Sequence, residues 1–390
     1  MRYIGNKTRL LGDIEAFAED MGATGRSVLD VFAGTAAVAR RFKERGYRVY
    51  SNDNMMYSYV LQKAYVEPTR VPAFLGLRKV RGVGKFLKSR SGSSRIDGVV
   101  EYLNREVQQV EGIVFRQFTP GGLSGRQFFT PENGRRIDGI LESLRVWRRR
   151  KVLRQAEYFV LLASLIEAAD RVANISGVYG AYLKHWDVSA KKPLALRSPE
   201  ISTRGRGHRA YREDANRLVR RIKADVLYVD PPYNRRQYAA NYHVLEVLAE
   251  AADVKDLDAY EARLYGKTGL KPYDEQRSEY CLRQRGEDSR LSRCEIAFRD
   301  LIRSSRCRHI IVSYNEEGIL SLETIARALS EELGNPAFDF DRQFREIRYR
   351  RFRSDAHRGP GRSYRVLEGR RRDEIHEWLF YARRHGTGSR

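Results

Sequence analysis

The chain has 390 residues and carries 73 Lys and Arg against 50 Asp and Glu, a formal net charge of +23. Charged residues make up 32% and hydrophobic ones 42%, which excludes a disordered chain and leaves room for one large domain with a substantial insertion. So large a cationic surplus favours a polyanionic partner held through phosphate contacts.

Taken in order, Met1–Leu11 is a basic opening with a helix start at Asn6 or Thr8. Ser27–Phe32 reads as an apolar strand, followed by Ala33-Gly34-Thr35-Ala36-Ala37 and a helical run through Phe42. Tyr47–Asp53 is a strand ending in an acid. Strand, glycine turn, helix, strand and terminal carboxylate form a nucleotide-binding half-sheet, with Asp53 placed to take ribose hydroxyls. A dinucleotide dehydrogenase uses the same plan but wants G-x-G-x-x-G, and only Gly34 is present.

Arg78 through Arg95 is basic and rich in Gly and Ser, suiting either a phosphate-contacting or a solvated loop. Thr130-Pro131-Glu132 starts a helix, with Thr130 as cap and Pro131 in the first turn. Ile137, Ile140, Leu141 and Leu144 then recur at helical spacing and face a core. Ala156 to Ala173 is a buried helix; within Asn174–Lys184, Tyr179 and Tyr182 either line a cleft or pack. A helical insertion, residues 69–204, therefore splits a sheet domain made of 1–68 and 205–390.

Ala224–Val229 is a short apolar strand that two prolines end abruptly. Asp230, Pro231, Pro232 and Tyr233 thus stand at the carboxyl end of a sheet strand, where open α/β sheets bind ligands. His243 reads as a hydrogen-bonded residue in the first turn of a helix rather than an extra base. Arg308–Asn315 is a further buried strand with a polar end. Glu316 and Glu317 lack partners at metal-ligand spacing, so no metal is expected. Cys281, Cys294 and Cys307 fit neither a C-x-x-C zinc site nor an even disulfide set, and reduced thiols are expected. The apolar run from Tyr158 to Ile166 is cut short by Glu167 and Asp170, and the opening lacks a signal-peptide core. A cytoplasmic chain without a membrane partner is the expectation.

The block Asp230-Pro231-Pro232-Tyr233 resembles the signature of amino-group methyltransferases, which methylate an exocyclic amine of adenine or cytosine in nucleic acid. Asp30-Val31-Phe32-Ala33-Gly34 resembles their Asp-x-Phe-x-Gly cofactor motif. Many members carry a second glycine where Ala36 stands, a residue that adopts positive φ less freely. Met1–Leu11 resembles the opening of the D12 class of adenine-specific DNA methyltransferases, and Asn234–Tyr238 with Asn241–Glu246 resembles its FokI-type subgroup. Tyr349–Arg353 and Ile375–Tyr381 match that family's closing antiparallel strands.

The resemblance implies a Rossmann-like seven-stranded S-adenosylmethionine-dependent methyltransferase fold with a mainly helical inserted target-recognition subdomain. It implies S-adenosylmethionine as methyl donor, bound by Tyr3, Lys7, Asp30, Phe32, Gly34, Asp53 and Asp230, with Tyr3 and Lys7 beside the methionine end. Catalysis falls to Asp230, Pro231, Pro232 and Tyr233. The Asp230 carboxylate and Pro231 carbonyl would accept the amine N–H bonds, and Tyr233 would stack on a base drawn out of the duplex. Double-stranded DNA is the implied partner, in a restriction-modification role with a cognate restriction endonuclease acting separately, or in an orphan modification role. A cytosine-N4 enzyme and a catalytically inactive nucleic-acid-binding relative are the alternatives.

Overall fold

The computed structural model describes residues 1–384 except 89, 93, 288 and 351–373. Strands β1 (Ser27–Asp30), β2 (Arg48–Asn52), β3 (Arg209–Tyr211), β4 (Val226–Val229), β5 (His309–Asn315), β6 (Phe344–Arg350) and β7 (Glu374–Arg383) form one sheet in the order β3-β2-β1-β4-β5-β7-β6. The first five positions in that order run parallel, and β7 is antiparallel to both its neighbours. Every residue of β4 and β5 is buried, as expected of parallel strands covered on both faces. Of the expected closing strands, Tyr349 and Arg350 end β6; Arg351 to Arg353 lie outside the described residues.

Helices α1 (Leu11–Asp20) and α2 (Ala37–Glu44) cover one face, packing Ile14, Phe17, Val38 and Phe42 against Val28, Val226 and Ile311. After β2 comes α3 (Met56–Tyr65), then the insertion with α4 (Val83–Leu87), α5 (Ser94–Arg105), α6 (Ile113–Phe118), α7 (Pro131–Arg149) and α8 (Gln155–Val172). The second half of the chain adds α9 (Ala215–Val219), α10 (Tyr238–Asn241), α11 (His243–Ala251), α12 (Leu257–Ala262), α13 (Arg293–Ser304) and α14 (Leu322–Leu333). Of these, α9, α13 and α14 cover the other face, burying Leu218, Phe298, Leu301, Ile325 and Leu329 over Leu29, Leu227 and Ile310.

The insertion does not have a core of its own. Its buried residues join those of α3 and α11 in one continuous cluster. Thr130 caps α7 as its residue type demands, its hydroxyl accepting the Asn133 N–H at 3.2 Å. The stretch from Arg78 to Arg95 departs from a loop: α4 occupies its middle, because Val83 and Leu87, one turn apart, are both fully buried. Burial of that pair outweighs the local glycine content. Tyr179 is likewise a packing residue, fully buried with its hydroxyl on Asp170 Oδ1 at 3.2 Å.

Candidate active site

From β1 the chain proceeds to β2 on one side, while β4 pairs with β1 on the other, so a topological switch point lies between β1 and β4. Asp30 pairs in register with Tyr228, which places Asp230 just beyond it at the carboxyl edge. An open cleft of about 1210 Å³ lies there, walled by Tyr3, Phe32, Asp53, Asp230, Pro231, Pro232 and Tyr233 among others. Seven of the ten expected site residues thus share one wall. Lys7, Asp30 and Gly34 stand off the wall but act on residues that form it.

Gly34 lies in the left-handed region, φ +51°, and donates its N–H to Asp53 Oδ2 at 2.9 Å. Asp53 Oδ1 accepts the Met55 N–H, also at 2.9 Å, so the carboxylate is oriented at the end of β2 by two backbone bonds. Burial raises its carboxyl above the usual range and these bonds oppose the rise. Ala36 follows at φ 60° and caps α2. The left-handed geometry that favours a second glycine is kept, and alanine bears its strain. Asp30 is 1% exposed, and burial, then the Asp230 charge, pushes its carboxyl well upward. It meets the site as an enclosed group.

The N-terminal segment is folded into the same place. Arg2 N–H bonds Asp170 Oδ2 at 2.8 Å, and its guanidinium bonds the carbonyls of Ile175 and Ala173 at the end of α8. Ile4 N–H donates to the Tyr242 hydroxyl at 2.7 Å. Tyr3 then stacks on Tyr242 with ring centroids 4.9 Å apart, and Tyr57 and Tyr238 meet it at 6.3 and 5.7 Å. Gly5, at φ +75°, lets the Tyr233 ring approach: a Cβ there would sit 3.1 Å from its Cε1.

Lys7 is 4% exposed, with Nζ 2.9 Å from Asp230 Oδ1 and 2.8 Å from Glu377 Oε1. Burial opposes its charge, but the two carboxylates outweigh that penalty and hold the ammonium well above its usual range. Burial pushes the Asp230 carboxyl up to about 7, against the pull of Lys7 and with the help of Glu377. His243 is fully buried, its ring nitrogens facing the carbonyls of Ala240 at 2.9 Å and Thr268 at 2.8 Å. It ties chain segments together and does not reach the cleft.

Sequence reasoning missed Glu377, Gly5, Tyr242 and Tyr280. Tyr280 meets Phe32 edge-on at 5.0 Å across the cleft wall that also includes Asp214 and Ala215. Glu377 directly precedes the apolar run Trp378-Leu379-Phe380-Tyr381, and nothing in the sequence around it singles it out. A strand-end acid, an aromatic slot and a polar strand end suit an adenosyl group joined to a charged tail. Among the described residues no helix is long and apolar enough to cross a membrane.

The chain resembles known proteins along most of its length. It is 36% identical over 384 residues to the Type II methyltransferase M.FokI of Planomicrobium okeanokoites, covering 98% of this chain and 52% of that one. Against the Type II methyltransferase M.NlaIII of Neisseria lactamica it is 34% identical over 362 residues, 91% of this chain and 93% of the relative. Modification methylase StsI of Streptococcus sanguinis gives 34% over 385 residues, 98% and 52%. The chain therefore spans about half the length of two of these relatives and nearly all of the third. A family model described as D12 class N6 adenine-specific DNA methyltransferase matches residues 3–325. With this cleft at the switch point and that match across β1 to β5 and the insertion, the chain belongs to the D12 class of N6 adenine-specific DNA methyltransferases.

Proposed function

We propose that the chain methylates N6 of adenine at a specific site in duplex DNA, with S-adenosylmethionine as methyl donor. The observation that carries this is Asp230-Pro231-Pro232-Tyr233 at the end of β4, forming one wall with Asp53 and Phe32. S-adenosylmethionine supplies an electrophilic methyl group. Asp53 is set to take the ribose hydroxyls, and Phe32 with Tyr280 to flank the adenine ring. The Asp230 carboxylate and the Pro231 carbonyl accept the two N–H groups of the target amine, which leaves its lone pair free for in-line attack. The proton lost afterwards passes to Asp230 or to water. Tyr233 stacks on the extruded base.

Recognition is proposed to come from the insertion together with the later arginine-bearing block, residues 253–300. Arg116 of α6 binds Glu261 of α12 through Nε at 3.0 Å, and Arg126 donates to the carbonyls of Lys267 and Gly266 at 3.2 and 3.0 Å. These bonds join the two blocks, and the chain's +23 charge favours phosphate contacts. A companion restriction endonuclease and a cytoplasmic setting complete the reading.

The test is incubation with tritiated S-adenosylmethionine and varied duplexes, followed by digestion to nucleosides. Label in N6-methyladenine, dependent on one short sequence, is expected. Label in N4-methylcytosine, or in RNA alone, overturns the assignment.

A further inference from the structure

Glu377 has no place in the methyl-transfer reading above, yet it is fully buried beside it. It stands on β7 opposite Asn315, at the carboxyl end of β5 and therefore at the same sheet edge as Asp230. Its Oε1 takes both the Lys7 ammonium, at 2.8 Å, and the Ser313 hydroxyl, which donates to it. A carboxylate enclosed on a central strand is costly unless it is paired. Here one cation serves two carboxylates, so the enclosed group as a whole keeps one negative charge.

That arithmetic has a chemical consequence. A lysine facing Asp230 alone would form a closed ion pair and draw the carboxylate's electron density onto itself. Shared with Glu377, the same ammonium is held in place but only partly spent on Asp230. We propose that Glu377 is a positioning residue of the methyl-transfer site, dividing the Lys7 ammonium between two carboxylates so that Asp230 stays a strong acceptor for the target amine. This rests on the methyl-transfer reading, while the geometry it uses belongs to the free protein.

Other groups face Asp230 without supplying this effect. From β1 comes Asp30, whose own carboxyl burial and then the Asp230 charge push well upward. Tyr228 of β4, Tyr233, Tyr238 of α10 and Tyr349 of β6 feel the Asp230 charge, and burial drives each phenol upward, leaving it neutral. Lys7 and Glu377 are therefore the charged partners that set the Asp230 carboxyl, which stands at about 7.

Glu377→Gln keeps the shape and an acceptor for Lys7 and Ser313 while removing the charge. Ser313→Ala does the reverse, leaving the charge on Glu377 more concentrated. The Asp230 carboxyl is followed by carbon NMR in protein labelled at aspartate carboxyls, its signal assigned by its loss in Asp230→Asn. Glu377→Gln should titrate at lower pH than the parent by about one unit. Ser313→Ala should titrate at higher pH by a smaller amount. In methylation assays the acid limb of kcat/KM should move with the carboxyl, kcat should fall about tenfold in Glu377→Gln, and cofactor affinity by calorimetry should stay within about twofold.

An unmoved Asp230 titration in a folded Glu377→Gln protein overturns the proposal, whatever happens to kcat. If that variant does not fold, Ser313→Ala decides: an upward shift supports the sharing of Lys7, and no shift refutes it. Failure of the parent protein to methylate DNA would refute the functional reading instead, because the titration is read without turnover.

Discussion

Replacing Gly34 with alanine tests how the cofactor loop and the N-terminal segment depend on each other. The backbone at this glycine is pinned on both sides: its N–H bonds Asp53 Oδ2 at 2.9 Å and its carbonyl accepts from Ser58 Oγ at 2.6 Å. A methyl group there would lie 2.8 Å from Tyr3 Cε1 and 3.0 Å from its hydroxyl. The left-handed backbone costs alanine about 1–2 kcal/mol, partly offset by about 0.5–1 kcal/mol from a stiffer unfolded chain. Tyr3 must also yield, losing about 0.5–1.5 kcal/mol of its stack on Tyr242 and adding about 1–3 kcal/mol of packing strain. Gly34→Ala should therefore lose about 2–5 kcal/mol in urea denaturation without cofactor. The steric part disappears if the ring is absent. In Gly34→Ala with Tyr3→Ala, the combined loss should fall short of the sum of the single losses by about 1.5–4.5 kcal/mol. Additivity within about 0.5 kcal/mol would show that Tyr3 is not what the methyl group meets, and the reasoning would fail.

Further outcomes follow from the same geometry. Asp53→Asn keeps one acceptor for the Gly34 or Met55 N–H but loses the charged acceptor proposed for the ribose hydroxyls, and cofactor affinity by calorimetry should weaken about tenfold or more. Because Asp230 must be ionised to accept the amine N–H bonds, kcat/KM should fall as pH drops through about 7, where burial has raised its carboxyl, and level off above; an acid limb near the ordinary carboxylate range would contradict this. Tyr233→Ala should lower kcat more than it raises the cofactor dissociation constant, as read by comparing turnover with calorimetry. Away from the cleft, Asp225 Oδ2 accepts the Arg26 and Ser27 N–H groups at 2.8 and 2.9 Å and the Ser27 hydroxyl at 2.8 Å, joining β4 to β1. Asp225→Ala should cost about 2–3 kcal/mol in urea denaturation, with cofactor affinity unchanged.

The parts of the fold legible in the sequence are those whose causes are local. Val28, Leu29, Val226 and Leu227 form apolar runs because parallel strands are buried on both faces, and turn residues stop each run where the strand stops. Thr130 and Pro131 mark a helix start by capping chemistry alone. The three-residue edge strand Arg209–Tyr211 escaped notice because it is short and partly exposed, so no hydrophobic run advertises it. The path between Arg78 and Arg95 also failed a local reading. Glycine and serine there are composition, whereas the helix α4 exists because Val83 and Leu87 have a core to enter, and that core is supplied by other segments of the chain.

The same division runs through the site. Asp53, Gly34 and Asp230 are legible because each stands at a strand end, where chain order and sheet edge coincide. Lys7 is different. The resemblance of the opening segment makes it a ligand for the cofactor's methionine end; a lysine 4% exposed also needs counter-charges, and these come from the end of β4 and from β7. Asp230 could be named because its prolines give it away. Glu377 carries no such mark, since an acid in a strand is ordinarily a solvent-facing residue. What makes it part of the site is the antiparallel insertion of β7 beside β5, which turns the last described strand back so that its first residues reach the edge where β4 ends. The strand that departs from the parallel order is thus the one that brings a second carboxylate to the Lys7 ammonium beside Asp230.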